Sequence, residues 1–546
     1  MTNDDVKLVS ELRADQSKME EDRRSFEPQW NEIIDLVIPR YQRFGTEKGR
    51  PGEKRTQKIF DATAGMALRH FAAAQDSMIT PRTQRYQKLI ASDEDLSEDD
   101  ELKRYLEQVT NTLFRIRYRW ESMFPTQMSE YYYGQSAFGS GGLMIEDTGN
   151  PRQPIRYRNI RLNDLWYAEN AGGICDKAHI RWCLTARQAG QRWGRNALPP
   201  SIQSALERSP EQTFDFLHCI RPRRERDERK LDSRNMRFES VWLWNDDVIE
   251  HGGFRTFPAA IGRFYSTDGS AYGYSPAMDA LPDVKMLNDM EHTNIKGAQK
   301  AVDPPLLLPE DGILEAFDLR SGALNYGGVD SQGNPTVRPL DMGKNVPLGI
   351  DYANQKRESV NLAFYVTLFQ ILVDNHQMTA TEVLQRAQEK GILLAPPLSR
   401  VQSEMLGPTT ERELDIAQSY GLLPQMPAVL MDRGGEVTIE YDSPLNRAMR
   451  AEDGTALLNW FNAMAPLAQI DPTVFQMIDT QKTGRGLGDV FAVPRDWFKT
   501  PEQIEGEQQA TADAAQSAAV LEAAPIAAGA AKDLSSAAIN MQNARV

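Results

Sequence analysis

Pro304 and Pro305 separate a pair of stretches with helical periodicity, and that division limits the folds open to this 546-residue chain. On the N-terminal side Met278, Leu281, Leu287, Met290 and Ile295 recur at helical spacing, predicting a helix of at most about 28 residues and about 40 Å. Pro282 lies near its start, where a bend is tolerated. Past the proline pair, the chain to Pro347 is dense in glycine, proline and short apolar runs, and reads as turns between small strands. A second helix is expected from about Ile350 to Val373, on Val360, Phe364, Leu368, Phe369, Ile371 and Leu372. Thr379 and Glu382 form a capping box in which hydroxyl and carboxylate each satisfy an orphan backbone N–H. A third helix therefore opens there, and Asp374 to Met378 is a short exposed connector. Gly391 and Pro396-Pro397 predict a kink in that helix. Two long helices joined by an elaborated loop, then a brief break and a third helix, describe a wall more than a catalytic core.

The region before this wall starts helical and turns to β. Val6 to Arg24 is charge-rich and helix-prone; Phe26, Trp30, Ile33, Ile34 and Val37 form the next apolar stripe, and Ala64, Ala67, Leu68, Phe71 and Met78 a third. Ser97 is placed to cap a long helix on Leu102, Tyr105, Leu106, Val109, Leu113, Ile116, Trp120 and Met123. Arg104, Arg115, Arg117 and Arg119 on its basic side read as solvated or subunit-facing. Strands are expected at Ile155–Ile160, Leu162–Ala168, Ala178–Leu184, Phe214–Ile220, Phe238–Trp244 and Ala260–Phe264, with helical pieces near Ala186–Trp193 and Ser201–Glu207. Asn245-Asp246-Asp247 marks a turn. The fold class is mainly α with an α+β block. Glu436 to Tyr441 alternates as one more strand, and helices are expected at Thr455–Ala463 and Pro472–Asp479. The Ala/Gln/Glu-rich end offers almost no large apolar face.

Chemistry-bearing patterns fail on inspection. Phe138-Gly139-Ser140-Gly141-Gly142 lacks the Gly-Lys-Ser/Thr of a phosphate loop, and its glycines precede a strand, so it reads as a turn. Gly484-Arg485-Gly486-Leu487-Gly488 follows a helix and is a loop. Cys175, His179 and Cys183, with His218-Cys219, lack the tight ligand pairs of a zinc site and read as buried thiols beside a bystander histidine. The run from Arg221 to Lys230 mixes both signs without aromatics, as a solvated loop or intersubunit ion-pair patch does. Six histidines leave little general-base capacity near neutral pH. No catalytic residue, metal site or cofactor is assigned. A net charge of −15 disfavours sequence-specific DNA binding. Three cysteines imply no disulfide framework and a reducing compartment. No apolar run approaches the roughly 18 residues that span a bilayer, so no membrane partner is expected.

Several ordered motifs carry a resemblance. Phe60-Asp61-Ala62-Thr63-Ala64, Met78-Ile79-Thr80-Pro81, Tyr133-Gly134-Gln135-Ser136-Ala137-Phe138-Gly139, Tyr272-Gly273-Tyr274-Ser275-Pro276 through Asp283, and Met378-Thr379-Ala380-Thr381-Glu382-Val383 occur in the order found in portal proteins of short-tailed bacteriophages. The resemblance covers roughly residues 5 to 500. It implies a portal fold assembled as a ring of twelve. Residues 1–271 would be the wing, 272–303 the first stem helix, 304–347 the clip and 348–372 the second stem helix. A tunnel loop at 373–378, a kinked wing helix and return strand at 379–445, crown helices at 446–505 and a tail at 506–546, disordered or a helical barrel, complete it. By family analogy the strand at Glu436–Tyr441 returns to the β block.

The implied function is a DNA channel at one capsid vertex, assembled in the host cytoplasm and kept in the virion, with double-stranded DNA as non-specific cargo. Implied partners are further copies of the chain, the terminase large subunit, the major capsid protein and scaffold, and tail adaptor proteins. The loop residues Val373, Asp374, Asn375, His376, Gln377 and Met378 would project toward DNA, with His376 a polar contact. Asp279, Asp283, Lys285, Asp289, Glu291, Lys296 and Lys300 are candidates for a channel face, expected to be net acidic. In the clip, Glu310, Asp311, Asp318, Arg320, Asp330 and Arg338 would dock terminase and tail adaptors. The readings set against this are a cytoplasmic multi-domain enzyme and a capsid or scaffold protein without a channel.

Overall fold

The structure is a computed structural model. It describes residues 3–45, 55–93 and 99–307 (save 228, 231 and 268), some of 318–340, then 346–366, 399–432, 436–441 and a few single positions between 460 and 510. The chain divides into two compact units, Met1–Met449 and Arg450–Val546. The helices and strands named here all belong to the first.

Helices α1 (Asn3–Arg24), α2 (Glu27–Leu36) and α3 (Thr63–Ile79) precede strand β1 (Gln87–Ala91). Helices α4 (Asp100–Arg117) and α5 (Phe124–Phe138) lead into β2 (Ser140–Asp147), β3 (Ile155–Ile160), β4 (Leu165–Glu169) and β5 (Cys175–Thr185). Two short helices, α6 (Ala186–Trp193) and α7 (Pro200–Arg208), return the chain to β6 (Thr213–Pro222), β7 (Phe238–Trp244), β8 (Asp247–Phe254) and β9 (Ala259–Arg263). Then follow α8 (Pro276–Val302), a minimal ribbon of β10 (Leu306–Leu307) and β11 (Arg338–Pro339), and α9 (Val346–Ala363). A π-helical turn at Val401–Leu406 runs into α10 (Gly407–Ser419), followed by α11 (Ala428–Asp432) and β12 (Val437–Tyr441). The architecture is mixed helix and sheet.

Strands β4 to β8 form an antiparallel meander with two different faces. The row His179, Cys219, Val241 lies under α1, whose Val9 and Leu12 pack on Cys219, Val241 and Leu243. Gln16 bonds His179 Nδ1 at 2.9 Å, and burial pulls this imidazole down to about 3, so it stays neutral. The row Ile180, His218, Trp242 faces the main core, with the His218 ring stacked on the indole at 4.1 Å. The histidines are thus bystanders, but the thiols differ from expectation. Cys219 is buried, Cys175 half-buried and Cys183 exposed. Helix α1 holds β5 at Lys177 and His179 and leaves the far end of the strand open.

A second core joins α4, α5, the small sheet β3-β2-β9 and α10. At its centre Arg117, assigned above to a solvated side, has no exposed surface. It grips Glu413 through Nε–Oε1 at 2.9 Å and Nη2–Oε2 at 2.6 Å, and donates to Tyr86 Oη at 2.7 Å. Tyr157 donates to the same carboxylate at 2.5 Å. Burial alone would lower the guanidinium pKa, but the carboxylate holds it well above the ordinary value. The arginine was misread because its partner lies 296 residues away in sequence.

Other differences are local. Asp99 caps α4 through Glu101 and Leu102, whereas Ser97 lies outside the described residues. Trp120, expected in the core, is 83% exposed, because α4 ends at Arg117 and a 3₁₀ turn carries it outward. The five-residue strand β1 and strand β8 escaped the sequence reading. Strand β12 pairs with β1, register Gln87↔Tyr441 to Ala91↔Val437, and not with the β block. The turn before β8 is as expected, with Asn245 at φ 51°. Arg221 opens the mixed-charge run but is nearly buried, bonded to Glu239 at 2.8 Å and to Glu11 at 3.2 Å. The expected crown helices and C-terminal tail lie outside the described residues apart from single positions, and the capping box and Gly391–Pro397 kink lie wholly outside them.

Two measurements follow. Replacing Glu413 by Gln strands a buried guanidinium and is expected to cost about 3 kcal/mol or more in urea unfolding. Glu239 accepts from Arg221 at 2.8 Å and His251 at 3.0 Å, which outweigh its burial and hold it down to about 2. Its folded pKa lies below the unfolded value of about 4.3, so its contribution is complete above that value and lost as pH falls toward about 2. The Glu239→Gln variant should show a flatter loss of stability across that window than the parent chain.

Candidate channel helices

Helix α8 is seated by the segment that precedes it. Tyr272 is buried among Trp30, Phe26 and Tyr167, with ring centroids at 5.6, 5.7 and 4.5 Å. Gly273 donates from its N–H to Ser140 Oγ at 2.9 Å, and Tyr274 bridges to Tyr265. Ser275 caps the helix, its Oγ accepting from Met278 N at 3.1 Å and donating to Ala137 O at 2.8 Å. Pro276 takes the first helical turn, where its missing N–H costs nothing. Gly139 ends α5 at φ 80°, a conformation that disfavours any side chain. A Cβ on Gly139 would overlap the backbone of Gly273, and one on Gly273 would overlap the carbonyl of Gly139. Two motifs quoted above for their order thus meet backbone to backbone.

From this seat, Ala277, Met278, Ala280, Leu281, Val284 and Leu287 bury the N-terminal half of α8. Pro282 sits inside the helix without ending it, and Asp303 closes it before Pro304. Helix α9 lies alongside, running the other way. Lys356 bonds Asp283 at 2.8 Å, Arg357 bonds Glu291 at 2.7 Å, and a Cβ on Gly349 would overlap Asn294. The Phe60-Asp61 motif fastens both helices. Phe60 stacks on His292 at 4.2 Å, its N–H donates to Asn288 Oδ1 at 2.8 Å, and Asp61 pairs with Arg357 at 2.9 Å.

Helix α9 begins at Val346 and ends at Ala363, earlier at both ends than expected. The chain turns at Phe364-Tyr365, where Tyr365 takes φ 55° and its hydroxyl meets that of Tyr265 at 2.8 Å. The break is local: Val366 is helical again, and the rest of the expected helix, residues 367–373, lies outside the described residues.

The structure divides the channel-face candidates. Asp283 and Glu291 are turned to the basic residues of α9. Lys285 is exposed and paired with Glu32; Asp279, Asp289, Lys296 and Lys300 are exposed. Partial desolvation against the helix raises the Asp279 carboxyl above its ordinary value. Val373, Asp374, Asn375, His376, Gln377 and Met378 lie outside the described residues, as do Glu310 and Asp311. In the stretch expected to be the clip, the exposed Arg320 pairs with Asp318 at 2.5 Å. Asp330 accepts from the backbone N–H of Gln332 and Asn334, and Arg338 lies in β11 opposite Leu307. The sequence reading missed Lys356 and Arg357 as partners of the candidate acids Asp283 and Glu291, and Asp61 as a second partner of Arg357. The adjacent basic pair on a predicted helix was the available pointer. Among the described residues no cluster of three metal-ligating side chains occurs.

The family description "Bacteriophage head to tail connecting protein" matches residues 9–498. The chain belongs to this family. Its sequence relatives include the "Probable portal protein" of Bordetella phage BPP-1, 27% identical over 514 residues that cover 92% of this chain and 91% of that one. The "Portal protein" of Salmonella phage epsilon15 is 26% identical over 528 residues, covering 95% and 94%. The resemblance read from the motifs is therefore correct. Among solved structures, a chain of the native gene transfer agent virion matches with 11% identity and a TM-score of 0.38, covering 76% of this connector and 92% of that chain.

Removing the side-chain-free contact at the connector's helix seat should be costly. Gly273→Ala is expected to destabilise by about 3 kcal/mol in thermal or urea unfolding, from overpacking against backbone that has little room to move. Arg357→Ala leaves the largely buried carboxylates of Asp61 and Glu291 without their cation and should cost about 2 kcal/mol, read in the same unfolding measurement.

Proposed function

We propose that this head-to-tail connector assembles with copies of itself into a ring of twelve at one vertex of the phage capsid. Double-stranded DNA passes along its axis, inward at packaging and outward at ejection. The observation that carries the reading is the match to two portal proteins across more than nine-tenths of both chains. Helices α8 and α9 form the stem, the region around β10 and β11 is the clip, and Val373 to Met378 is the tunnel loop. The clip residues Asp318, Arg320, Asp330 and Arg338, with Glu310 and Asp311, dock first the terminase large subunit and later the tail adaptors. The body contacts the major capsid protein and scaffold during assembly in the host cytoplasm. The protein's role is structural, and ATP-driven work belongs to the motor that docks on it.

The electrostatics favour a passage that does not grip. The chain carries a net −15, which repels phosphates at low salt. Two of the four acids of α8, Asp283 and Glu291, are paired with Lys356 and Arg357 of α9 within the subunit. Asp279, Lys285, Asp289, Lys296 and Lys300 remain at the surface of α8, a mixed set suited to transient contacts with a moving polyanion.

Native mass measurement and particle images test the assembly: a closed ring of about a dozen subunits with an axial hole is expected. A monomer or small globular oligomer would overturn the reading. Duplex DNA should bind the assembled ring weakly and with a steep salt dependence. Lys285→Gln with Lys296→Gln and Lys300→Gln should reduce the logarithmic salt slope by up to about 3.

A further inference from the structure

Trp120 is 83% exposed, yet the turn that carries it is firmly tied. The buried Ser122 hydroxyl donates to the Arg119 carbonyl at 2.7 Å, Gln153 donates to the Glu121 carbonyl at 2.9 Å, and Arg119 donates to the carbonyl of Arg152. Met123 closes the turn at φ 63°, a conformation that residues with a side chain rarely adopt, and is exposed as well. Local strain is thus accepted at a turn that holds an indole out in water. Arg119 and Glu121 flank the ring with opposite charges. Elsewhere on the same body, α3, α5 and the end of β3 enclose a cavity of about 480 Å³. Its wall is aromatic or small: Tyr41, Tyr133 and Phe138, with Ala72, Ala73 and Gly134. Glycine inside a helix is unfavourable, and Gly134 lies well inside α5. A Cβ there would meet no atom within 4 Å, so packing within the subunit does not require the glycine. Exposed Arg69 and Glu130 stand at the mouth, and neither is ion-paired among the described residues.

We propose that Trp120 of one copy enters this cavity on the next copy, a knob-in-hole contact that rests on the ring assembly proposed above. Its exposure means that the indole does not fill the cavity of its own chain. The cavity falls in the roughly 300–1,000 Å³ range of pockets that enclose organic ligands, with room for an indole. The charges match in sign: Arg119 beside the knob suits Glu130 at the mouth, and Glu121 suits Arg69. A tryptophan seated in a desolvated pocket is the commonest kind of binding anchor, and one already fixed by its turn loses little freedom on docking. Knob and hole are different patches of one chain, so the contact is heterologous. Such contacts repeat head to tail and close into a ring, whereas a two-fold contact would stop at a dimer. Gly134 then has a purpose that the single subunit does not supply: it leaves the hole open for a neighbour.

Native mass measurement of the full-length protein over a dilution series tests this. Trp120→Ala removes the knob, and Gly134→Leu fills the hole from a position where a Cβ meets nothing. Each should raise the concentration at which half the chains are assembled by about tenfold or more, with the circular dichroism of the parent retained. The double variant decides whether the two residues meet. Within one contact, a hole already filled has no tryptophan to lose, so Trp120→Ala added to Gly134→Leu should weaken assembly by no more than about twofold further. Losses that multiply would place the two residues in separate contacts and overturn the proposal. A parent chain that forms no ring refutes the ring reading itself. A parent ring whose half-assembly concentration stays within about twofold in both single variants leaves that reading standing and overturns this contact, the cavity then serving some other occupant.

Discussion

The placement of α8 depends on two glycines that face each other across a contact no side chain could enter. Gly139 caps the end of α5 just before β2; Gly273 lies two residues before Ser275, the cap of α8. Their carbonyls lie where the other's Cβ would be. Because the approach is backbone against backbone, it fixes position and direction together, which a pair of packed side chains does only loosely. Ser140 and Ser275 then satisfy the polar groups the turn exposes, one accepting from Gly273 and the other donating to Ala137. A long helix inherits its aim from its first turn. A small error at Ser275 would be carried along the 27 residues of α8.

Periodicity made the long elements legible. The α8 boundaries follow from Ser275, Pro276 and the Pro304-Pro305 pair, and most strands of the block from alternation. The family was readable from ordered motifs without chemistry, and the structure explains why such motifs recur together. Phe60-Asp61, Phe138-Gly139 and Tyr272-Gly273-Tyr274-Ser275-Pro276 are the joints by which the N-terminal helices hold α8 and α9. What stayed hidden were pairings between distant residues. Arg117 has the same local pattern as a solvated arginine, and only Glu413 makes it a core residue. The short strand β1 has too few residues to announce itself without β12. Tyr365 leaves the helical conformation for a hydroxyl contact that no helical wheel contains.

Charge is used in two distinct ways within this one chain. Inside, cations are matched closely: Arg117 with Glu413, Arg263 with Glu404 and Glu169, Arg221 with Glu239 and Glu11. Each stitches elements that are far apart in sequence, and each would be destabilising if half of it were missing. Along α8 the matching is looser, with acids turned sideways to α9 and lysines left outward. Tight pairing ties distant elements of the body together, while along α8 the exposed lysines and acids are held less closely.

The sequence distance between Arg117 and Glu413 has a consequence for how the protein is made. At translation rates of about 5–20 residues per second, the arginine emerges roughly 15–60 seconds before the carboxylate it needs, and β1 waits slightly longer for β12. Until then the second core carries an unmatched cation and an open strand edge. A nascent chain therefore cannot complete its body, and a truncated one never does. The helix that carries Glu413 and the strand β12 thus act as a checkpoint for the first unit, whose second core closes only in copies that extend through Tyr441.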